Sequence, residues 1–239
     1  MKKHLSVFLT ITSLFLIVVN VDAQKLDKDL VRYCQNLTTA MDEISNERKE
    51  TLREIGDYLA GELINDNKAN LIIICTHNSR RSHIAQIWLQ TSATYFGING
   101  INAFSGGLEV TAFNPNAIDA LKRAGFAISN VQVSDNPVYT VSDGVNKTIS
   151  YSKKYSDRQN PSEDFGAVMV CSDADQSCPL VAGASERFSL PYEDPRYYDG
   201  TDSQDTKYDE TVREIALEML FLVEYTKKKQ IAQIEAARQ

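Results

Sequence analysis

Apolar residues recur at helical intervals along the stretch from Lys25 to Asp66. This spacing gathers the apolar side chains on one face and predicts two helices separated near Ser45-Asn46. Cys34 is the only reactive side chain among them, and we expect it to be a small buried residue. We therefore interpret residues 24–68 as a helical extension that serves packing or forms a surface for a partner. The apolar positions are Leu30, Leu37, Met41, Ile44, Leu52, Ile55, Leu59 and Leu63.

The next pattern is a continuous aliphatic run followed by a helix-like stretch. The run from Asn70 to Ile74 is typical of a strand covered on both faces, and a helix is predicted from about Ser82 to Thr94. A second unit repeats this order, with a strand over 101–104 and a turn at Ser105-Gly106-Gly107. Such alternation favours a parallel sheet with right-handed crossovers.

The helix of this second unit has clear signals at both ends. Asn114 is a typical N-cap and Pro115 fits the first helical position. Gly125 follows Ala124 and predicts the end of the helix.

A different pattern occupies residues 137–164. Two short β-type runs flank a Ser-Asp-Gly turn and are followed by a polar stretch, so we predict an inserted β-hairpin and a surface loop. Buried strands are predicted over 167–170 and 187–190. A long amphipathic helix is predicted from about Asp205 towards Ala236.

The first residues predict a targeting segment. Lys2-Lys3 precedes an apolar run from Leu5 to Val19, and small residues follow up to Ala23. We expect residues 1–23 to be a signal peptide that is cut near Ala23, with export to the bacterial periplasm and no stable membrane insertion afterwards. A retained anchor is the alternative. Residues 69–239 then form the catalytic domain.

Charge and cysteine content narrow the classes of function. The net charge is −7, which argues against nucleic acid as a partner. The four cysteines are too few and too widely spaced for a disulfide scaffold, and no zinc-type spacing is present. Redox chemistry at selected thiols is the favoured interpretation, and a structural bridge stays open because the protein is expected to be exported.

Candidate chemistry concentrates in residues 75–82, between the first strand and its helix. Cys75 and Arg81 are six positions apart in this loop. Such a loop can surround a tetrahedral oxyanion with backbone N–H groups, place a guanidinium beside it and a thiolate beneath it. A helix N-terminus and a neighbouring arginine both favour the thiolate form. The loop predicts a site for phosphate or a similar oxyanion.

This loop resembles the active-site loop of the low-molecular-weight protein tyrosine phosphatase superfamily. It is most similar to the thioredoxin-coupled arsenate reductase branch, because Asn78-Ser79 precedes Arg81-Ser82. Residues 104–109, 114–118 and 128–130 resemble the family's second unit and the turn after it. The likeness spans about 70–225 and implies a doubly wound α/β fold. Its four-stranded parallel sheet has the order 2-1-3-4 and is flanked by helices, with the helical extension and the inserted hairpin outside it.

Residues 170–179 resemble the redox segment of the arsenate reductases, which the plain phosphatases lack. By this resemblance Cys75 attacks arsenate, Asp194 protonates the departing oxygen, and Cys171 and Cys178 relay the oxidation to a disulfide. A thioredoxin-like protein then reduces that disulfide, and no organic cofactor is needed. The oxyanion would be held by Thr76, His77, Asn78, Ser79, Arg80, Arg81 and Ser82.

Several residues depart from the family pattern. His77 and Arg80 stand where glycine and cysteine are common, and Gln86 stands where many reductases have a cation-binding glutamate, so no metal is predicted. The aromatic run Arg196-Tyr197-Tyr198 resembles the phosphatase lip and keeps phosphotyrosine or aryl phosphate hydrolysis open. A further alternative is an exported oxyanion-binding protein with a structural Cys171–Cys178 disulfide.

Overall fold

A four-stranded parallel sheet forms the centre of the molecule, with a three-stranded antiparallel sheet beside it. The structure is a computed structural model that describes residues 26–237. Its helices are α1 (Lys28–Thr38), α2 (Asn46–Asn65), α3 (Arg81–Phe96), α4 (Pro115–Ala124), α5 (Ser172–Ser177) and α6 (Gln204–Ala236). Its strands are β1 (Ala69–Cys75), β2 (Ile101–Gly107), β3 (Ala127–Gln132), β4 (Val138–Ser142), β5 (Lys147–Ser150), β6 (Phe165–Met169) and β7 (Ala184–Ser189). Short 3-10 helices span Met41–Glu43 and Pro195–Tyr198.

The parallel sheet has the order β2-β1-β6-β7, which confirms the predicted order 2-1-3-4. The central strand β1 is almost fully buried because it pairs on both edges and is covered on both faces. Its last residue, Cys75, therefore lies at the carboxyl edge of the sheet, where ligands bind in folds of this kind.

The N-terminal helices share one core with the sheet. Leu30 of α1 and Leu52 of α2 are buried in the same apolar cluster as β1, and α6 packs against α1, α2, α3 and α4. The two predicted helices of this region are confirmed. Its division from a 69–239 domain stays a prediction, and the predicted signal peptide at 1–23 lies outside the described residues.

The sequence Ser105-Gly106-Gly107 was wrongly predicted as a turn, because these residues continue β2. Here the glycines allow close approach rather than a change of direction. A Cβ on Gly106 would lie 2.3 Å from the Cα atom of Tyr155, and one on Gly107 would lie 2.7 Å from the Asn78 backbone nitrogen. The absent side chains let the insertion and the Cys75 loop pack directly on the end of β2.

The turn predicted at 128–130 is also wrong, since these residues belong to β3. The inserted hairpin, formed by β4 and β5, is confirmed, but β3 pairs with β4 and makes it a three-stranded sheet. Most of β3 is exposed and carries little apolar alternation, so the sequence pattern gave no strand signal. None of the helices described within 26–237 is both long and apolar enough to cross a bilayer.

Candidate functional site

The loop from Cys75 to Ser82 joins β1 to α3 and is fixed from outside by its carbonyl groups. Three of its carbonyl oxygens accept hydrogen bonds from other segments. The Thr76 carbonyl accepts from Glu109 N (2.8 Å), and the Ser79 carbonyl accepts from Asn114 N (2.9 Å). The His77 carbonyl accepts from Ser152 Oγ (2.9 Å). With the carbonyls engaged outside, none of the backbone N–H groups of residues 76–82 donates to another described residue. These unpaired donors at the N-terminus of a 16-residue helix form a cradle suited to an anion.

A chain of polar contacts ends at the Cys75 thiol. The backbone N–H of Lys153 donates to Asn78 Oδ1 (2.9 Å), and Asn78 Nδ2 donates to Ser82 Oγ (2.9 Å). Ser82 Oγ lies 3.1 Å from Cys75 Sγ. Because the Ser82 oxygen already accepts from Asn78, its proton is free to point at the sulfur of Cys75.

Asn78 also fixes the backbone of the loop. It is fully buried and has a φ of 45°, in the left-handed region where asparagine is tolerated better than most residues. A side chain that holds Ser82 and Lys153 from this position keeps the loop in one conformation.

Arg81 and Asp194 meet beside this loop. Arg81 Nη2 donates to Asp194 Oδ2 (2.6 Å), and Arg81 Nη1 donates to the carbonyl oxygen of Tyr192 (2.8 Å). The Nε atom of Arg81 is buried and has no partner among the described residues. Asp194 Oδ1 accepts from Arg196 N (3.1 Å), which caps the following 3-10 helix. The guanidinium is thus aimed by two acceptors and keeps a donor for an oxyanion.

Cys171 lies next to the loop, whereas Cys178 does not. β6 runs beside β1, and Cys171 Sγ is 3.4 Å from Thr76 Oγ1. Cys171 is the N-cap of α5 and is buried, while Cys178 is its C-cap and is half-buried. Two helical turns put their Cα atoms about 10 Å apart, beyond the span of a disulfide. All four cysteines of the described chain are free, so joining this pair requires α5 to unwind.

The other predicted oxyanion ligands are arranged differently. His77 points outwards, with Nε2 3.3 Å from Glu109 Oε2. The Arg80 side chain contacts two other residues. Its Nε donates to the Tyr208 hydroxyl at 2.9 Å, and its Nη2 forms an ion pair with Asp199. Only the backbones of His77 and Arg80 therefore face the cradle, together with those of Thr76 and Ser79.

Two buried basic side chains, His83 and Lys153, lie behind the loop. Burial, followed by the charge of Lys153, holds the pKa of His83 well below its usual value, so this histidine is neutral and stacks on Phe113. Burial lowers the pKa of Lys153 to about 8, although Asp157 opposes this shift.

Gln86 donates to the Ala103 carbonyl, and no group of three or more His, Cys, Asp or Glu within 26–237 is arranged to hold a metal.

Sequence reasoning missed three supports of the site. Tyr192 and Lys153 act through backbone atoms, which carry no residue signature, and Tyr208 lies far along the chain from Arg80. The side-chain roles of Asn78 and Ser82 were detectable in principle. An asparagine inside an anion-binding loop is a common choice for a left-handed residue.

Comparison with known proteins adds to this geometry. No protein-family model matches the chain. An arsenate reductase from Brevibacillus brevis is 35% identical over 130 residues, which cover 54% of this chain and 79% of that protein. An arsenate reductase from Staphylococcus aureus is 30% identical over 131 residues, with 54% and 80% covered. Among solved structures, a low-molecular-weight protein tyrosine phosphatase from T. tengcongensis is 17% identical with a TM-score of 0.46, covering 66% of this chain and 99% of that chain.

Proposed function

The chain belongs to the arsenate reductase branch of the low-molecular-weight protein tyrosine phosphatase superfamily, and on that premise we propose that it reduces arsenate to arsenite through three cysteines. The observation that carries the proposal is the position of Cys171, which lies beside the Cys75 loop and in contact with Thr76. A phosphatase that used Cys75 alone would need no second thiol there.

The first step uses the cradle. Arsenate binds to the N–H groups of residues 76–82 and to Arg81, which neutralise its negative charge. The Cys75 thiolate attacks arsenic, an arsenic–oxygen bond breaks, and Asp194 gives a proton to the departing oxygen, which leaves as water. The product is an arsenate ester of Cys75 with arsenic still in its +5 state.

The second step reduces arsenic. The Cys171 thiolate attacks Cys75 Sγ, the electron pair of the sulfur–arsenic bond passes to arsenic, and arsenite leaves in the +3 state. Cys178 then attacks Cys171 and releases Cys75 as a thiolate. The resulting Cys171–Cys178 disulfide holds the two oxidising equivalents, and a thioredoxin-like dithiol supplies the two electrons that restore the enzyme.

The location of α5 between the last two thiols gives this relay a conformational requirement. A helix of six residues is too short to be stable on its own and is held mainly by contacts with its surroundings. We infer that it unwinds after Cys171 has been oxidised, which brings Cys178 to Cys171 and towards the surface.

Phosphatase activity is a second candidate, supported by the residues after Asp194. The Tyr197 side chain is 67% exposed and stacks with the Arg196 guanidinium, 5.4 Å from its ring centre. An exposed aromatic surface beside the proton donor suits an aryl phosphate. This reaction would use Cys75, Arg81 and Asp194, with water completing the cycle.

We also propose export to the bacterial periplasm, on the basis of the signal-like pattern of residues 1–23. A relay that ends as a disulfide needs a reductant in the same compartment. The thioredoxin-like donor must therefore be an exported dithiol protein.

One set of variants separates these functions. Wild type, Cys75→Ser, Cys171→Ser, Cys178→Ser and the control Cys34→Ala are assayed for thioredoxin-dependent arsenate turnover and for aryl phosphate hydrolysis. We expect Cys75→Ser to abolish both activities, the other two serine variants to abolish only arsenate turnover, and Cys34→Ala to retain both. Arsenate turnover that persists in Cys171→Ser would contradict the relay, and a wild type without either activity would favour an oxyanion-binding protein.

A further inference from the structure

An ion pair between a half-buried arginine and a buried glutamate links α2 to α6. Arg48 of α2 donates from Nε to Glu218 Oε1 of α6 at 2.7 Å. The second oxygen, Glu218 Oε2, accepts from the hydroxyl of Tyr192 at 2.6 Å. The Glu218 side chain is only 5% exposed, so both of its oxygens are paired away from water.

Tyr192 connects this pair to the oxyanion site. Its ring faces the Arg48 guanidinium, with 4.6 Å between the guanidinium carbon and the ring centre. Its carbonyl oxygen accepts from Arg81 Nη1 at 2.8 Å, and Asp194 follows two residues later. The Tyr192 side chain is therefore held by α2 and α6, while its backbone carbonyl orients Arg81.

We propose that Arg48 is a positioning residue of the oxyanion site, which acts through Glu218 and Tyr192 to hold the Tyr192 carbonyl and Asp194 against Arg81. The inference rests on the proposed function only in taking Arg81 as the oxyanion-binding arginine. It gives the helical extension a part in oxyanion binding, whereas its sequence predicted only a packing appendage or a partner surface.

The physical reason lies in the low dielectric around Glu218. Removing one partner of a buried ion pair leaves the other charge uncompensated, and its surroundings rearrange to solvate it. Without Arg48, Tyr192 would lose the cation that faces its ring. Its hydroxyl would also compete with water for Glu218. A shift of about 1 Å at a group that orients substrate is enough to weaken a site substantially.

The competing explanation is that the pair only fastens α2 to α6. The two explanations predict different results for a variant that lacks both Arg48 and the buried charge of Glu218. Replacement of a whole buried ion pair by apolar residues of similar size is often neutral or stabilising. The double variant Arg48→Met/Glu218→Met should therefore regain stability, while Tyr192 still lacks both of its polar partners.

The test uses the full chain and inorganic phosphate as probe, with the dissociation constant measured by phosphorus NMR titration and the unfolding midpoint by calorimetry. We expect Arg48→Met to weaken phosphate binding about tenfold and to lower the midpoint. The double variant should recover the midpoint but keep the weak binding. The control Arg53→Met, on the same helix and paired with the exposed Glu50, should bind phosphate as wild type does.

Tyr192→Phe provides a milder second variant that keeps the ring. We expect it to weaken phosphate binding about threefold, and to add little when combined with Arg48→Met because both changes act through one contact. Wild-type affinity in Arg48→Met, or affinity that recovers together with the midpoint in the double variant, overturns the inference. If wild type fails to reduce arsenate while these affinity differences persist, only the proposed function falls.

Discussion

The Cys75 loop and the Cys171–Cys178 segment carry the same reactive group but are built in opposite ways. The loop is held by hydrogen bonds from the chain after β2, from the insertion and from its own side chains, as at Thr76, His77 and Asn78. The segment between Cys171 and Cys178 is a six-residue helix in which only Ala174 is buried. One thiol is fixed at the proposed oxyanion site, whereas the other two lie at the two ends of a short helix.

The difference matches the two tasks that we propose for this site, which are the binding of an oxyanion and the transfer of oxidation between thiols. Binding an oxyanion rewards donors that are already in place, because no reorganisation is then needed in the transition state. Passing a disulfide along the chain requires movement, since two sulfurs must come within about 2 Å of each other. Rigidity in the loop and weakness in α5 are therefore complementary.

Among the variants that test this contrast, Arg81→Lys is expected to lower activity the most. A lysine cannot engage the Tyr192 carbonyl, Asp194 and the oxyanion at once, because it lacks the planar fork. We expect kcat/KM to fall about 100-fold to 1000-fold for both arsenate and aryl phosphate. Equal loss in both assays places Arg81 in the binding step, and a loss confined to arsenate would show that it belongs to the relay instead.

A somewhat smaller loss is expected from Asn78→Ala. It removes two buried hydrogen bonds and leaves alanine at a positive φ, which together cost about 2–3 kcal/mol. We expect both activities to fall about tenfold to 100-fold, with slower alkylation of Cys75 by iodoacetamide because Ser82 is no longer oriented. Asn130→Ala, on the exposed strand β3, is the control. An unchanged alkylation rate would show that the loop is not held through Asn78.

Asp175→Asn tests whether α5 is held in place by its contacts with β7. Asp175 accepts from Arg187 at 2.6 Å and from Ser189 at 2.7 Å, and these contacts tie α5 to β7. Loss of the charge should speed formation of the Cys171–Cys178 disulfide by diamide about threefold and leave aryl phosphate hydrolysis unchanged. Asp173→Asn, on the same helix, is the control. If disulfide formation is no faster in Asp175→Asn, unwinding of α5 does not limit the relay.

The smallest effect on turnover is expected from Lys153→Met, because this residue supports Asn78 through its backbone. Its folded pKa of about 8 lies below the unfolded value of about 10.4. The buried charge therefore destabilises the fold below pH 8, and this penalty disappears as the pH rises past 10.4.

We expect Lys153→Met to raise the free energy of unfolding at pH 7 by roughly 2–3 kcal/mol, with the gain vanishing near pH 10.5. Arsenate and aryl phosphate turnover should stay within about twofold of wild type. Urea unfolding across this pH range measures the effect, with the exposed Lys154→Met as control. A gain that is independent of pH would exclude the buried charge as its cause.

The sequence predicted the parts of the fold that local rules govern. Continuous aliphatic runs indicated β1 and β6, and Asn114-Pro115 with Gly125 gave both ends of α4. It was wrong where tertiary contact overrides local preference. Gly106-Gly107 looks like a turn by composition, yet these glycines lie in a strand because other backbone segments press on them.

The site divides in the same way. Cys75 and Arg81 were recognisable because the chemistry depends on their side chains and their spacing. The Tyr192 carbonyl and the Lys153 N–H were not, because any residue presents these groups and only the folded chain brings them to Arg81 and Asn78.

The position of α6 late in the chain has a consequence for the newborn protein. α6 packs against α1, α2, α3 and α4, and its Glu218 completes the support of Tyr192. A ribosome delivers the Cys75 loop more than a hundred residues before it delivers this helix. During translation the Cys75 loop therefore emerges well before α6, and the contact of Glu218 with Tyr192 forms only when this helix has docked.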